Sequence, residues 1–189
     1  MDHLQNEIER ALKTLSAKEL VLYPTDTVWG IGCDATAVQA VKEIYALKDR
    51  PDSKALICLV SDVKMLREYV EEVPEKAVRL IEASTKPTTI IYDRPRKVAK
   101  NLVAEDNTLA IRVCRDSFCQ SLIRGLGRPI VSTSANVSGQ PTPKSFAQIA
   151  PEIVKGVNYV VNLRREIENP APSAIVKIER NGRLTVIRE

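Results

Sequence analysis

Three segments of the chain combine cations, hydroxyls and glycines in patterns that could bind an anion. In residues 23–32, YPTDTVWGIG, an apolar strand runs into two threonines, an aspartate and two glycines, which can orient a small polar ligand or satisfy an ordinary turn. In residues 48–54, KDRPDSK, Lys48 and Arg50 lie two apart on a chain that Pro51 keeps extended, so both can point the same way. Such a pair suits a phosphate or a carboxylate, although basic residues also favour helix C-termini.

The third segment, residues 130–142, is IVSTSANVSGQPT, in which hydroxyls and an amide follow an apolar strand. A loop with Asn and Gly can expose successive backbone N–H groups as an anion-binding nest, but most polar loops are surface loops only. A further cation, Arg112, lies inside the apolar residues 109–113. If its side chain is buried, it needs a partner or a ligand; on an alternating strand it would more often face outward.

The composition weighs against several other kinds of site. The 189 residues include one histidine, His3, and four cysteines without a C-x-x-C pair, which argues against zinc clusters, two-histidine metal sites and a histidine general base. Catalysis would therefore rest on lysine, arginine, aspartate, hydroxyls and backbone amides. The net charge of +4 permits an anionic ligand or nucleic acid without establishing either.

Two alternative functions have their own patterns. Residues 30–35 match G-x-G-x-x-A, and Asp52 lies 20 residues beyond Gly32, as in a dinucleotide-binding fold. In that fold the glycines follow the strand directly, whereas here six residues intervene. Residues 86–100 hold five basic residues against Asp93, a local charge of +4 that could contact RNA phosphates.

The hydrophobic periodicity predicts the elements that would position these residues. Helices are predicted over residues 3–18, from Thr36 to before Pro51, from Asp62 through Tyr69, from Pro74 to about Ala83 and over residues 117–126, with capping boxes at Thr36, Ser117 and Ser145. Strands are predicted over residues 21–23, 55–60, 88–92, 109–113, 129–131 and 159–161, and as a hairpin of residues 174–178 and 184–187 around Asn181-Gly182. Residues 24–35 and the stretch after Val131 are predicted as loops.

Strands and helices mix along the whole chain, which indicates one domain over residues 1–189. Its class is α/β, bordering on α+β, with helices flanking a mixed parallel and antiparallel sheet. The C-terminal hairpin excludes a purely parallel sheet. The N-terminus is too polar for a signal peptide, and no apolar run approaches the roughly 18 residues of a membrane span. Because the cysteines form no disulfide pattern, we expect a cytoplasmic protein without membrane contact.

In their joint order and spacing, these segments resemble the YrdC-like family, the threonylcarbamoyl-AMP synthases, over nearly the whole chain. The resemblance rests on residues 23–32, the K-x-R of residues 48–50, the T-x-x-x-R-V strand of residues 108–113, the S-x-N loop of residues 134–139 and the P-S-A-I-V of residues 172–176. The chain departs from the family pattern at residues 86–89, where KPTT replaces a Pro-Gly-Pro segment, at Cys114 and at Trp29. An alternative interpretation is therefore a non-catalytic or diverged paralogue that binds RNA or a nucleotide.

The resemblance implies a twisted sheet around a basic concave cavity, where L-threonine, bicarbonate and ATP give threonylcarbamoyl-AMP and pyrophosphate for a transferase complex that modifies tRNA. It implies ATP-binding roles for Lys48, Arg50, Thr108, Ser134, Asn136, Thr142 and Arg188, of which Lys48 and Arg50 would be catalytic. It implies threonine-binding roles for Thr25, Arg112, Ser132 and Ser173. Mg²⁺ would arrive with ATP, with Asp26 as a candidate ligand, and Lys54 would add to the basic cavity. Replacing Lys48 or Arg50 by Ala should then abolish the reaction and leave the melting temperature nearly unchanged.

Overall fold

The protein is described by a computed structural model over residues 2–49, 56–168, 171–179 and 183–189. The helices are α1 (His3–Ser16), α2 (Val38–Leu47), α3 (Val63–Tyr69), α4 (Glu75–Ala83), α5 (Ser117–Leu126) and α6 (Pro151–Lys155). The strands are β1 (Val21–Tyr23), β2 (Gly30–Gly32), β3 (Ile57–Val60), β4 (Thr88–Asp93), β5 (Thr108–Val113), β6 (Ile130–Ser134), β7 (Tyr159–Val160), β8 (Ala174–Ile178) and β9 (Leu184–Arg188). They form one sheet in the order β7-β1-β2-β6-β3-β5-β4-β8-β9 with parallel and antiparallel neighbours, which confirms the predicted mixed class.

Helices cover the two faces of this sheet unequally. Side chains alternate between the faces along each strand, so Cys58 of β3 packs on the first face and its neighbours Ile57 and Leu59 on the second. On the first face, α2, α3 and α4 pack through apolar residues that include Val41, Ile44, Leu66 and Ala77. On the second face, α1 and α5 pack over the end of the sheet that holds β7, β1 and β6. Beyond these two helices, the second face carries a cavity over β5, β4 and β8.

Aspartate side chains cap α3 and α5. Asp62 accepts a hydrogen bond from the Met65 amide at 2.8 Å and begins α3, as the sequence predicts. Oδ1 of Asp116 accepts from the Cys119 amide at 2.9 Å and caps α5. The predicted capping box at Ser117 is therefore wrong by one residue, since Ser117 is already the first residue of the helix.

The other two predicted capping boxes do not form. Thr36 donates its hydroxyl to Asp34 Oδ1 at 2.7 Å, and α2 begins after Ala37 without a side-chain cap. The Thr36 hydroxyl thus bonds the nearby Asp34 carboxylate and does not cap α2. Ser145 precedes a single 3-10 turn, and the next helix, α6, begins at Pro151, whose missing N–H costs nothing in the first turn.

The glycines of residues 30–32 form a strand rather than the predicted loop. This strand, β2, pairs antiparallel with β1 and with β6. A Cβ on Gly32 would overlap the Val131 carbonyl oxygen and lie 2.7 Å from the Tyr23 ring, so the missing side chain lets the three strands pack this closely. Glycine has a low strand propensity, which the neighbouring strands override here. The dinucleotide interpretation is excluded, because these glycines lie within a strand and not in a strand-to-helix turn.

The remaining predictions agree with the structure at the level of whole elements. β8 and β9 pair antiparallel as the predicted C-terminal hairpin, whose Asn181-Gly182 turn lies outside the described residues. β6 continues to Ser134, beyond its predicted end at Val131, because Thr133 and Ser134 pair with β2. No described helix is long and apolar enough to cross a membrane.

We predict that Gly32→Ala lowers the free energy of unfolding by about 1–3 kcal/mol, because the new methyl group must displace the Val131 carbonyl or the Tyr23 ring. Urea denaturation followed by circular dichroism measures the loss. Gly30→Ala is the matched control, since its Cβ would first meet the Ser132 hydroxyl, at 3.0 Å, and that side chain can rotate away. Equal stability of the two variants would contradict the packing described for β2.

Candidate active site

One row of residues crosses the second sheet face beyond α1 and α5. Ser132 of β6 lies opposite Ile57 of β3, which in turn lies opposite Ala110 of β5. Ala110 lies opposite Ile91 of β4. Opposed residues point to the same face, so the small Ala110 leaves a depression between two isoleucines. These four residues line a cavity of about 270 Å³, which we call the sheet cavity.

Polar side chains surround this apolar floor. The residues predicted for ATP or threonine binding that line the sheet cavity are Arg112, Ser132, Ser134, Thr142, Ser173 and Arg188. Thr27 and Thr133, which were not predicted, line it as well. Hydroxyls and two guanidinium groups, from distant parts of the chain, therefore meet around one cavity.

Arg112 is the buried cation of the sheet cavity. Its side chain is 4 % exposed and lies on the same face of β5 as Ala110, so the outward-facing alternative is wrong. Nη1 forms an ion pair with Asp26 Oδ1, 2.9 Å away, and donates a hydrogen bond to Thr27 Oγ1 at 3.5 Å. The donors on Nε and Nη2 have no hydrogen-bond partner among the described residues. A buried guanidinium with donors left over favours an anionic ligand.

Arg188 supplies the second cation. Its Nε and Nη2 donate to the Ser173 carbonyl oxygen at 3.0 and 2.8 Å, which ties β9 to the segment before β8. The Ser173 hydroxyl lies 2.8 Å from the Thr89 hydroxyl, and either can be the donor. Burial, and then the positive charge of Arg112, lower the pKa of Arg188 below its ordinary value. Two guanidinium groups that repel each other in one cavity favour an anion between them.

Lys48 lies behind the polar loop that follows β6, not in the lining of the sheet cavity. Its side chain is buried, and Nζ donates to the carbonyl oxygens of Ser134 and Asn136. Its own carbonyl oxygen accepts from the Ser138 amide at 2.7 Å. One residue therefore holds the loop at three points, and the charge of Lys48 acts first on the shape of the loop.

Asn136 closes the same loop and lines a second cavity. Its Nδ2 donates to the carbonyl oxygens of Val137 and Gln140, at 2.9 and 2.8 Å. This second cavity, of about 460 Å³, is lined by residues from 135–143 and 148–152, and we call it the loop cavity. Thr142 lines both cavities, so they share a wall.

Thr25 shapes the turn between β1 and β2 instead of lining the sheet cavity. Its hydroxyl donates to the Val28 carbonyl oxygen at 2.8 Å and accepts from the Thr27 amide at 3.0 Å. This bonding fixes the turn that carries Asp26, whose carboxylate pairs with Arg112. Thr25 therefore supports the cavity from behind.

Thr108 is not in the cavity lining, and two further predicted residues are not described. Thr108 lies at the opposite end of β5 from Arg112, and its hydroxyl donates to Asp106 Oδ1 at 2.6 Å. At about 3.3 Å per strand residue, Thr108 and Arg112 are roughly 13 Å apart. Arg50 and Lys54 lie outside the described residues, so their roles stay predictions.

The sequence reasoning missed the apolar floor and two hydroxyls. Thr27 and Thr133 belong to segments that the sequence singles out, but residue type alone does not separate them from their neighbours. Ile57, Ala110 and Ile91 meet only through the register of three strands that are distant in the chain. A single sequence carries no signal for that register.

The predicted Mg²⁺ ligand, Asp26, is paired with a cation in the structure. Asp26, the predicted ligand, is engaged by Arg112, and no carboxylate is among the described residues that line the sheet cavity. The described part of the chain also has no group of three or more His, Cys, Asp or Glu side chains that could hold a metal. Mg²⁺ prefers several oxygen ligands, which the phosphates of a nucleotide and water can supply.

The basic residues of 86–100 do not form one continuous surface. Lys86 precedes β4 and Arg94 follows it, so the six residues of this strand separate them by roughly 20 Å. Arg94 pairs with two glutamates before α4, at 2.9 and 3.5 Å. Arg96 donates to two carbonyl oxygens at the end of α3. The RNA contact stays a prediction, and these described residues do not support it with a continuous basic surface.

We expect Lys48→Met to lower the melting temperature as well as the activity. The variant keeps the side-chain volume but removes the charged donor of both carbonyl oxygens, at a cost of about 2–4 kcal/mol. The Ser134 oxygen then keeps only the Asn136 amide, at 2.9 Å, and the Asn136 oxygen is left without the Nζ donor. The sequence predicts instead a nearly unchanged melting temperature, since it treats Lys48 as a residue of the cavity. Calorimetry measures the difference, with Lys42→Met on the exposed face of α2 as the control. Full loss of activity at an unchanged melting temperature would favour a direct ligand contact.

Known proteins are similar to this chain in sequence and in fold. Residues 13–189 match the family model Sua5_yciO_yrdC, described as "Telomere recombination". The threonylcarbamoyl-AMP synthase of Pseudoalteromonas translucida (strain TAC 125) is 33 % identical over 161 residues, which are 84 % of this chain and 86 % of the relative. The crystal structure of P. abyssi Sua5 complexed with L-threonine has a TM-score of 0.83 at 26 % identity, over 96 % of this chain and 53 % of that one. These matches confirm the resemblance seen in the sequence, and the chain belongs to the Sua5/YciO/YrdC family.

Proposed function

We propose that the chain is a threonylcarbamoyl-AMP synthase, which makes threonylcarbamoyl-AMP and pyrophosphate from L-threonine, bicarbonate and ATP. The observation that carries this proposal is the buried Arg112 guanidinium, with unpartnered donors, in a hydroxyl-lined cavity that adjoins a larger one. Two cavities with a shared wall suit a reaction that joins an amino acid to a nucleotide. Relatives that are 33 % and 32 % identical over most of this chain carry the name of this activity.

The sheet cavity is the proposed site for threonine. The threonine carboxylate would accept from the unpartnered donors of Arg112, and its methyl group would pack on the apolar floor around Ala110. The hydroxyls of Ser132 and Ser173 line the same cavity and can bond the remaining polar groups. A cavity of about 270 Å³ suits one amino acid better than a nucleotide. A protein with this fold has been crystallised with L-threonine, which supports the assignment.

The loop cavity is the proposed site for the adenosine part of ATP. Asn136 and Thr142 line it, and Thr142 and Ser134 also reach the sheet cavity, so phosphates near this shared wall would meet the bound amino acid. Lys48 would act on the phosphates through the loop that it holds. Arg50 would add a direct cation.

The reaction needs fixed cations and hydroxyl donors but no histidine. The threonine nitrogen attacks the carbon of bicarbonate, and water leaves to give a carbamate. A carbamate oxygen then attacks the α-phosphorus of ATP, the bond from this phosphorus to the bridging oxygen breaks, and pyrophosphate leaves. Negative charge gathers on the phosphate oxygens in the transition state, where the hydroxyls of Ser134 and Thr142 can stabilise it.

The setting of this reaction is part of the proposal. Mg²⁺ would enter bound to the phosphates of ATP, since the carboxylate of Asp26 is engaged by Arg112. The product would pass to a transferase complex that modifies tRNA. We place the protein in the cytoplasm, a reducing compartment, because all four cysteines are free and buried.

Mass spectrometry of the product tests the proposed function. Protein incubated with ATP, Mg²⁺, bicarbonate and L-threonine should yield threonylcarbamoyl-AMP together with pyrophosphate. Arg112→Gln should lower the rate by about 100-fold, because the carboxylate loses a charged, two-bond partner. Arg79→Gln, on the exposed face of α4, is the matched control and should keep the wild-type rate.

Two results would contradict the proposed function. One is ATP binding without any threonine-dependent product, which would favour the non-catalytic paralogue. The other is an Arg112→Gln variant that reacts as fast as the wild type, which would show that the threonine carboxylate does not bind to Arg112 in the sheet cavity.

A further inference from the structure

The Asp26–Arg112 ion pair leaves one edge of the guanidinium available to a ligand. Asp26 Oδ1 lies 2.9 Å from Nη1 and pairs with its charge. The N–H groups of Nε and Nη2 point in parallel and form the fork that binds a carboxylate through two bonds. Both lack a hydrogen-bond partner among the described residues. Asp26 therefore fixes the side chain from one edge while the fork stays available.

The charged side chains that the described residues bring to the sheet cavity nearly balance. Arg112 and Arg188 are the charged residues among the described lining, and Asp26 lies directly beside Arg112. The sum of these three groups is 2 − 1 = +1. One carboxylate neutralises the charge of these three groups, whereas pyrophosphate or a triphosphate would bring more negative charge than the described lining can pair.

The turn that carries Asp26 is held by its own hydroxyls. The hydroxyls of Thr25 and Thr27 lie 2.9 Å apart, and Thr25 also bonds the Thr27 amide and the Val28 carbonyl. Thr27 Oγ1 in turn accepts from Arg112 Nη1 at 3.5 Å. The guanidinium is therefore hydrogen-bonded to the same turn that carries its ion-pair partner Asp26.

We propose that Asp26 is a positioning residue that selects a single carboxylate for the sheet cavity, because it both orients the Arg112 guanidinium and cancels one of the two guanidinium charges. This inference rests on the proposed function, in which that carboxylate belongs to threonine. It assigns Asp26 to substrate selection instead of metal binding. It also places the phosphates of ATP outside the sheet cavity, towards the loop cavity.

Calorimetric titration of Asp26→Asn with L-threonine and with inorganic pyrophosphate tests this role. Asparagine keeps the size and one acceptor oxygen but removes the negative charge. The Kd for threonine should rise at least about tenfold, because the zwitterion gains nothing from a more positive cavity and loses the fixed fork. The Kd for pyrophosphate should fall at least about threefold, because the cavity gains positive charge.

Two further variants sharpen the comparison. Asp26→Glu restores the charge and should recover most of the threonine affinity. Glu71→Gln removes an exposed carboxylate that pairs with Arg94 on the surface, and both Kd values should stay at the wild-type level. If Asp26 had a merely structural role, Asp26→Asn would bind both threonine and pyrophosphate more weakly than the wild type. Either that result or an unchanged threonine affinity would overturn the inference.

The outcomes separate this inference from the proposed function. If the wild type binds threonine but makes no threonylcarbamoyl-AMP, the proposed function fails and the opposite shifts of the two Kd values still decide the role of Asp26. If the wild type makes the product and Asp26→Asn binds threonine as tightly, the role of Asp26 fails alone. If the wild type binds no threonine, both fail.

Discussion

A guanidinium buried on a half-covered sheet is the constraint on which the site depends. The Arg112 side chain is 4 % exposed, and such a charge is costly unless it is paired. Asp26 pairs one edge, and an anionic ligand would pair the other. Asp26 can do so only because the turn between β1 and β2 presents it, and that turn needs Gly32 for β2 to pack against Tyr23. Asp26, in the first polar segment of the chain, thus pairs with a cation that lies some eighty residues further on.

The basic residues of the protein perform different tasks, and residue type does not reveal which. Lys48 fixes the loop after β6, and Arg96 ties a surface turn to the end of α3. Among the described residues, the cations that line the sheet cavity are Arg112 and Arg188. A net charge of +4 therefore says little about the site, since the charge of the sheet cavity depends on which charged side chains point into it.

Local signals made part of the fold predictable. The Asp62 cap of α3 and the C-terminal hairpin need only a short stretch of sequence, and both form as predicted. β2 could not be predicted, because the reason for Gly32 is a close approach to Tyr23 and Val131 on neighbouring strands. The capping boxes at Thr36 and Ser117 failed for the related reason that an aspartate nearby is the acceptor in use.

For the site, residue type identified most of the polar lining but not the geometry. Arg112 and the hydroxyls of residues 132–142 stand out in the sequence, yet the direction in which Arg112 faces depends on the strand register. Register also creates the floor around Ala110, which has no sequence signal of its own. The sequence identifies Lys48 as a candidate site residue, but its position behind the loop follows from tertiary packing.

The central claim is that the sheet cavity binds an amino-acid carboxylate and the loop cavity binds the nucleotide. A crystal structure of the protein with L-threonine and a non-hydrolysable ATP analogue tests it most directly. We predict the threonine carboxylate within about 3 Å of Nε and Nη2 of Arg112, with Asp26 still paired with Nη1 and the adenosine beside Asn136 and Thr142. A triphosphate bound to Arg112, with threonine elsewhere or absent, would contradict the claim.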